Sequence, residues 1–210
     1  MRLSGWITVA TMLIALAVAA VAGGQQGETT STPGGDVVQV TAVERQAAEA
    51  MSVLRRTRSA DDAMAPDAAA RFGERAAFGM NPGLSRRAIG NVAHSVYIVP
   101  ANDYVCGALT LGPGAGMTCA RTGDIATGQS GAATATLEGG AIGIYGMVPD
   151  NVESVTIATG ASDTTAVSTE NNAYFAAVPK GTVLRTISYT GPSGRVEFPI
   201  YDPALAFKND

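Results

Sequence analysis

The feature that most constrains this chain is the spacing of turn chemistry along its second half. From residue 142 on, short β-rich runs alternate with Pro, Gly, Asn and Asp clusters: Pro149-Asp150-Asn151, Thr159-Gly160-Ala161-Ser162-Asp163, Glu170-Asn171-Asn172, Pro179-Lys180-Gly181 and Gly191-Pro192-Ser193-Gly194. Each cluster holds residues that tolerate a reversal of the backbone. The runs between them, Ile142–Val148, Val152–Ala158, Thr164–Thr169, Ala173–Val178, Val183–Thr190 and Arg195–Ile200, read as strands. Their starts recur about every 9–13 residues, as in antiparallel sandwiches. Val155 and Ile157, then Val183, Arg185, Ile187 and Tyr189, alternate with a period of two, so one face is buried and one is wet. Three more strands precede them: Ser95–Val99, stopped by Pro100, then Tyr104–Leu111 and Met117–Arg121. The expected class is mainly β: an antiparallel β-sandwich, loosely Ig-like, over 91–210, with an N-terminal helical arm and a signal or anchor helix.

Residues 104–121 read as a hairpin around Gly112-Pro113-Gly114-Ala115-Gly116. Cys106 and Cys119 are symmetric about that loop, so they face each other across the strands. With two Cys in the whole chain, one disulfide is the simplest outcome in an exported protein. A reactive thiol or metal ligation are the alternatives. The pair is too close in sequence to be the inter-sheet disulfide of true Ig domains. The glycines are no phosphate loop, because neither a helical pattern nor a Lys-Ser or Lys-Thr pair follows them.

The first 22 residues set the compartment. Arg2 is followed by an uncharged, mostly apolar run from Leu3 to Ala22, long enough as a helix to span a bilayer core. Ala20-Val21-Ala22 fits the small-x-small rule for signal peptidase, with cleavage between Ala22 and Gly23. An uncleaved anchor is the alternative, and then the chain meets the membrane through residues 3–22. Either way the remainder lies outside the cytoplasm, secreted or held at the outer face of the cytoplasmic membrane. Residues 23–36 lack apolar periodicity and read as a flexible tether.

Residues 37–90 read as a helical arm. Val40, Val43, Ala47, Ala50 and Leu54 make one apolar stripe, predicting a helix from Val37 to Thr57. Its Ala-rich face suits close packing, on the chain's own sheet or on a partner helix. The basic run Arg55-Arg56-Thr57-Arg58 is followed at once by Asp61 and Asp62, and reads as a helix end rather than a ligand site. Leu84-Ser85-Arg86-Arg87-Ala88 reads as a single helical turn. Residues 37–90 carry 8 basic and 6 acidic side chains, and 91–210 carry 5 and 10, so arm and strand region attract.

Charge and residue supply exclude several functions. The chain has 14 basic against 18 acidic residues, a poor match to a nucleic-acid partner. His94 is the one histidine, beside Ser95 at a strand start. Ser130 stands in Gly-Gln-Ser-Gly, which misses the nucleophile-elbow spacing, and Ser193 stands in a turn. Asp150, Glu153, Asp163 and Glu170 suit glycoside hydrolysis by type only, since all fall at turns. No spaced calcium loop occurs. Neither a catalytic set, a cofactor nor a metal is expected. The leading expectation is a non-catalytic binding or envelope-structure protein whose partner is an unidentified protein or an envelope polymer; the alternative is a secreted hydrolase of wall glycan or peptide.

Several motifs together carry a resemblance: Val96-Tyr97-Ile98-Val99-Pro100 with Val105-Cys106; Cys119 before a Gly-rich turn; Gly146-Met147-Val148-Pro149-Asp150-Asn151-Val152 leading to Ser154-Val155-Thr156; and Asn171-Asn172-Ala173-Tyr174. Over residues 50–200 the chain resembles uncharacterised exported proteins of high-GC Gram-positive bacteria that share a Val-Pro-Asp-x-Val strand–turn motif and a two-Cys hairpin. Asn151 stands where that pattern usually has Gly, and Asn also tolerates a left-handed turn. The resemblance implies export and a β-rich fold, and brings no activity with it.

Overall fold

The structure is a computed structural model that describes residues 42–74, 79–90, 94–112 and 114–200. The signal or anchor segment 1–22, the Ala22–Gly23 cleavage site and the tether 23–36 lie outside the described residues, as does the start of the expected helix. Among the described residues no helix is long and apolar enough to cross a membrane.

The arm holds α1 (Ala42–Ala50), a 3-10 turn over Ser52–Arg55, a second over Ala60–Asp62, and α2 (Pro66–Glu74). The expected helix to Thr57 is thus cut at Ala50, and the basic run begins at the last residue of a 3-10 turn instead of ending that helix. The physical reason is competition for backbone donors. The N–H groups of Ser52 and Val53 go to side-chain oxygens of Asp150 and Asn172, so they cannot extend the helical ladder.

Among the described residues, eleven strands form three antiparallel sheets. The first holds β1 (Arg86–Gly90), β2 (Ser95–Pro100), β3 (Tyr104–Leu111) and β4 (Gly114–Arg121), in that spatial order. After α3 (Thr122–Ala126), the second is built from β5 (Ala132–Thr136), β6 (Ile142–Met147) and β9 (Ala173–Val178), in the order β5-β6-β9. The third has the order β11-β10-β7-β8, from β7 (Ser154–Thr159), β8 (Asp163–Ser168), β10 (Leu184–Gly191) and β11 (Gly194–Pro199). Two expectations are corrected. Arg86–Gly90 is a strand, not part of a helical turn, because β2 templates it through the Arg86↔Ile98 to Gly90↔Ser95 register. Between Arg121 and Ile142, where the sequence reading places no strand, the chain forms β5, paired along β6 from Ala132↔Gly146 to Thr136↔Ile142.

Period-two alternation explains how the sheets stack. On β6, Ile142 and Ile144 face one apolar cluster and Tyr145 and Met147 face another. The second sheet is therefore covered on both faces. One face meets Val96, Ile98, Val105 and Leu109 of the first sheet together with Ala47, Ala50, Met51 and Val53 of the arm. The other meets Val155, Ile157, Leu184, Ile187 and Tyr189 of the third sheet. A third cluster sets Tyr97, Val99, Cys106 and Ala108 against Met64, Phe72 and Met80. Gly107 is needed where the first two sheets touch, since a Cβ there would lie 2.9 Å from Met147 Cγ.

The arm is docked by charge as well as by apolar contact. Asp62, 1% exposed, takes both Nη atoms of Arg56 at 2.7 and 2.6 Å, the backbone N–H of Ser59 at 2.7 Å and that of Arg87 in β1 at 2.8 Å. Burial alone would raise its pKa. The donors from Arg56, Ser59 and Arg87 outweigh burial and hold the carboxyl well below the usual carboxylate range.

Candidate functional site

Cys106 and Cys119 are register partners on β3 and β4 and form the disulfide, with Cα atoms 4.0 Å apart. The strands pair symmetrically out to Leu111↔Gly114, which is why the sequence midpoint located the bond. Cys106 is fully buried behind α2, so the bond tightens the core.

Of the remaining sequence candidates, the structure brings Ser130 and Ser193 to one groove and leaves the others apart. His94, just ahead of β2, stacks on Phe175 with ring centroids 3.8 Å apart, and burial pushes its pKa down. Asp150 faces the arm: it pairs with Arg55 at 2.8 Å, accepts the Ser52 N–H at 2.7 Å and accepts from Asn172 Nδ2 at 2.9 Å. Asp163 opens the exposed strand β8. Glu170 is exposed and accepts from Asn171 Nδ2 at 3.5 Å. Ser130 Oγ lies 2.8 Å from Tyr189 Oη, whose proton goes to the Gly128 carbonyl at 2.6 Å. Among the described residues no group of three or more His, Cys, Asp or Glu is placed to hold a metal ion.

Glu153 lines a different groove. In the third sheet, Val155, Ile157, Ile187 and Val196 point into the core. Their neighbours therefore point the other way. Ser154 and Thr156 of β7, Ser188 and Thr190 of β10, and Arg195 of β11 thus share the outer face. They line a polar groove of about 390 Å³ with Asn151 and Glu153 at one end. Arg195 donates from Nη2 to Ser188 Oγ at 3.4 Å, and Ser188, on a strand flanked on both sides, is 7% exposed. Asn151 reaches the rim in the left-handed conformation, at φ 66°.

Arg195 also lines a second groove of about 510 Å³, together with Thr127, Gln129, Ser130 and Ser193 and with Val196, Glu197 and Phe198 of its own strand. Consecutive residues of one strand lining one cavity mean that this groove runs along the edge of β11. The two grooves meet at Arg195, whose guanidinium also pairs with Glu197 at 3.0 Å.

Sequence reasoning named Glu153 but missed Ser154, Thr156, Ser188, Thr190 and Arg195. Polar residues on the wet face of a strand are ordinary, and strand order is what gathers them. No protein-family model, curated protein or solved structure matches the chain.

Proposed function

We propose that this chain is an exported, non-catalytic binding module of the cell envelope, and that the outer-face groove of the third sheet receives a hydroxyl-rich envelope polymer. The observation that carries the reading is the lining itself. Ser and Thr hydroxyls, the Asn151 amide and a planar guanidinium offer donors and acceptors at strand spacing to a ligand that has both. The groove is shallow and its wall is sheet, so an extended polymer can lie along it without an enclosed end. Export is supported by the apolar N-terminal run and by the Cys106–Cys119 disulfide. We read the packing of the second sheet on the third as a loosely Ig-like β-sandwich, and the resemblance to exported proteins of high-GC Gram-positive bacteria agrees with that setting.

A secreted wall hydrolase is the competing reading, and Glu153 in the groove is the observation that favours it. Acid–base hydrolysis needs a partner group held at working distance. Asp150, three residues before Glu153, is engaged elsewhere: it is bonded to Arg55 and Ser52 of the arm and to Asn172. Co-sedimentation of the full chain with isolated envelope polysaccharide tests the proposal. The expected result is saturable binding that Thr156→Val weakens and His94→Ala leaves unchanged. Capture of the chain by an envelope protein, with no retention on the polysaccharide, would instead assign the groove to a protein partner.

A further inference from the structure

The third sheet ends at β11, which pairs with β10 alone among the named strands. Which of its backbone groups are left over follows from one hydrogen bond. The Ile200 N–H donates to the Arg185 carbonyl at 2.9 Å. Continuing the register, Phe198 opposes Ile187, Val196 opposes Tyr189 and Gly194 opposes Gly191. Hydrogen-bonded pairs recur every second residue in an antiparallel ladder, so these residues turn their N–H and C=O groups toward β10. Arg195 and Glu197 therefore turn theirs outward, along the edge groove. Pro199, next in that series, has no N–H to offer, which is where proline is tolerated in a sheet.

An edge with exposed N–H and C=O groups is a template for another strand, and its own sequence specifies which. Laid antiparallel against a second copy about a two-fold axis through Val196, Arg195 faces Glu197 of the copy and Glu197 faces its Arg195. These are the residues whose backbone groups point outward, so each such pair exchanges both of its backbone hydrogen bonds. The side chains of a facing pair lie on the same side of the sheet, and here they are oppositely charged. Val196 meets its own symmetry mate, and Phe198 lies over Gly194, which has no side chain to obstruct the ring. The arrangement costs little in the single chain. The intrachain Arg195–Glu197 pair it replaces is 71% and 48% exposed, where ion pairs contribute little.

We propose that this chain self-associates into a two-fold dimer through β11, joining the third sheets of two copies into one continuous sheet. The interface is isologous, so it closes and does not propagate. It sets two outer-face grooves side by side on one surface, which raises the avidity for a repeating polymer. The dimer itself does not depend on what the groove binds.

Charge reversal tests it. Arg195→Glu alone sets Glu against Glu197 of the copy, and Glu197→Arg alone sets Arg against Arg195. An equimolar mixture of the two restores an opposite pair at both positions, as does the double variant R195E/E197R. The four samples and the wild type are compared by sedimentation equilibrium of the full chain in density-matched detergent, so that any association through residues 3–22 is common to all. The expected result is a wild-type dimer, about tenfold or more weaker dimerisation in each single variant, and recovery in the mixture and in the double variant. An unchanged far-ultraviolet circular dichroism spectrum of the single variants shows that the fold survives. Equal association in all samples, or single variants that stay apart when mixed, would overturn the proposal.

Discussion

Asn172 donates from Nδ2 to Asp150 Oδ1 at 2.9 Å, and its own Oδ1 accepts the Val53 N–H at 2.9 Å. Two turn residues separated by a whole hairpin thus form one bracket, and the arm hangs on it. Nδ2 also donates to the Val148 carbonyl at 3.2 Å, and Ser52 Oγ lies 3.0 Å from Oδ1. Asn172 sits at φ 66°, a conformation that Asn tolerates better than most side chains.

Asn172→Gly keeps that backbone conformation and removes the bracket. Leaving the Val53 and Val148 groups without their partner should cost about 1–3 kcal/mol. Denaturant unfolding reads the loss, and limited proteolysis should cut residues 42–62 first. A variant within 0.5 kcal/mol of wild type, the order of an ordinary surface change, would show that apolar contact alone holds the arm.

Asp150 makes the bracket acid-sensitive. Burial alone would raise its carboxyl, but donors from Asn172, Arg55 and Ser52 outweigh it and lower the pKa from the ordinary 3.8 to about 2. A folded-state pKa below the unfolded one stabilises above the unfolded value, and the contribution is lost as pH falls through the folded one. Asp150 should therefore contribute about 2 kcal/mol near neutrality, falling away between about pH 4 and pH 2. Asp62 acts in the same sense. Unfolding free energies across that range should drop less steeply in Asp150→Asn than in wild type; parallel curves would count against the bracket.

How legible this was varied with the kind of signal. Strands of the second half were readable because Pro, Gly and Asn clusters bound them and β-branched residues alternate within them. The disulfide was readable because a hairpin fixes its own register. Arg86–Gly90 was not, since Arg-Arg-Ala carries no strand preference and β2 imposes the extension. Nor was the early end of α1, which Asp150 and Asn172 dictate from about a hundred residues away. The groove was least legible of all. Thr156 and Ser188 become neighbours only through the β7–β10 register, and Thr190 and Arg195 only through β10–β11.

Breaking the disulfide should destabilise without abolishing the fold. Cys106→Ser is expected to cost about 2–4 kcal/mol, read by thermal or denaturant unfolding. Intact-mass measurement of the wild type with a thiol-alkylating reagent should find neither Cys modified until a reductant is added. Two alkylated thiols without reductant would contradict the bond.

His94→Ala removes a stacking contact with Phe175 and nothing from either groove. A stacked aromatic pair contributes about 0.5–1.5 kcal/mol beyond its burial, so a loss of that order is expected, with binding to envelope polymer intact. Loss of binding at unchanged stability would give His94 a role that its packing does not explain.

The most direct test of the central claim follows binding and turnover in one experiment. The full chain is titrated onto isolated wall polysaccharide of a high-GC Gram-positive bacterium at neutral pH, and the supernatant is assayed for new reducing ends. The expected result is a saturable isotherm, weakened about tenfold or more when Ser154→Ala and Thr156→Val are combined, and no reducing ends however long the incubation. Reducing ends that accumulate with time and vanish in Glu153→Gln would contradict it, and so would an isotherm that the double variant leaves unmoved.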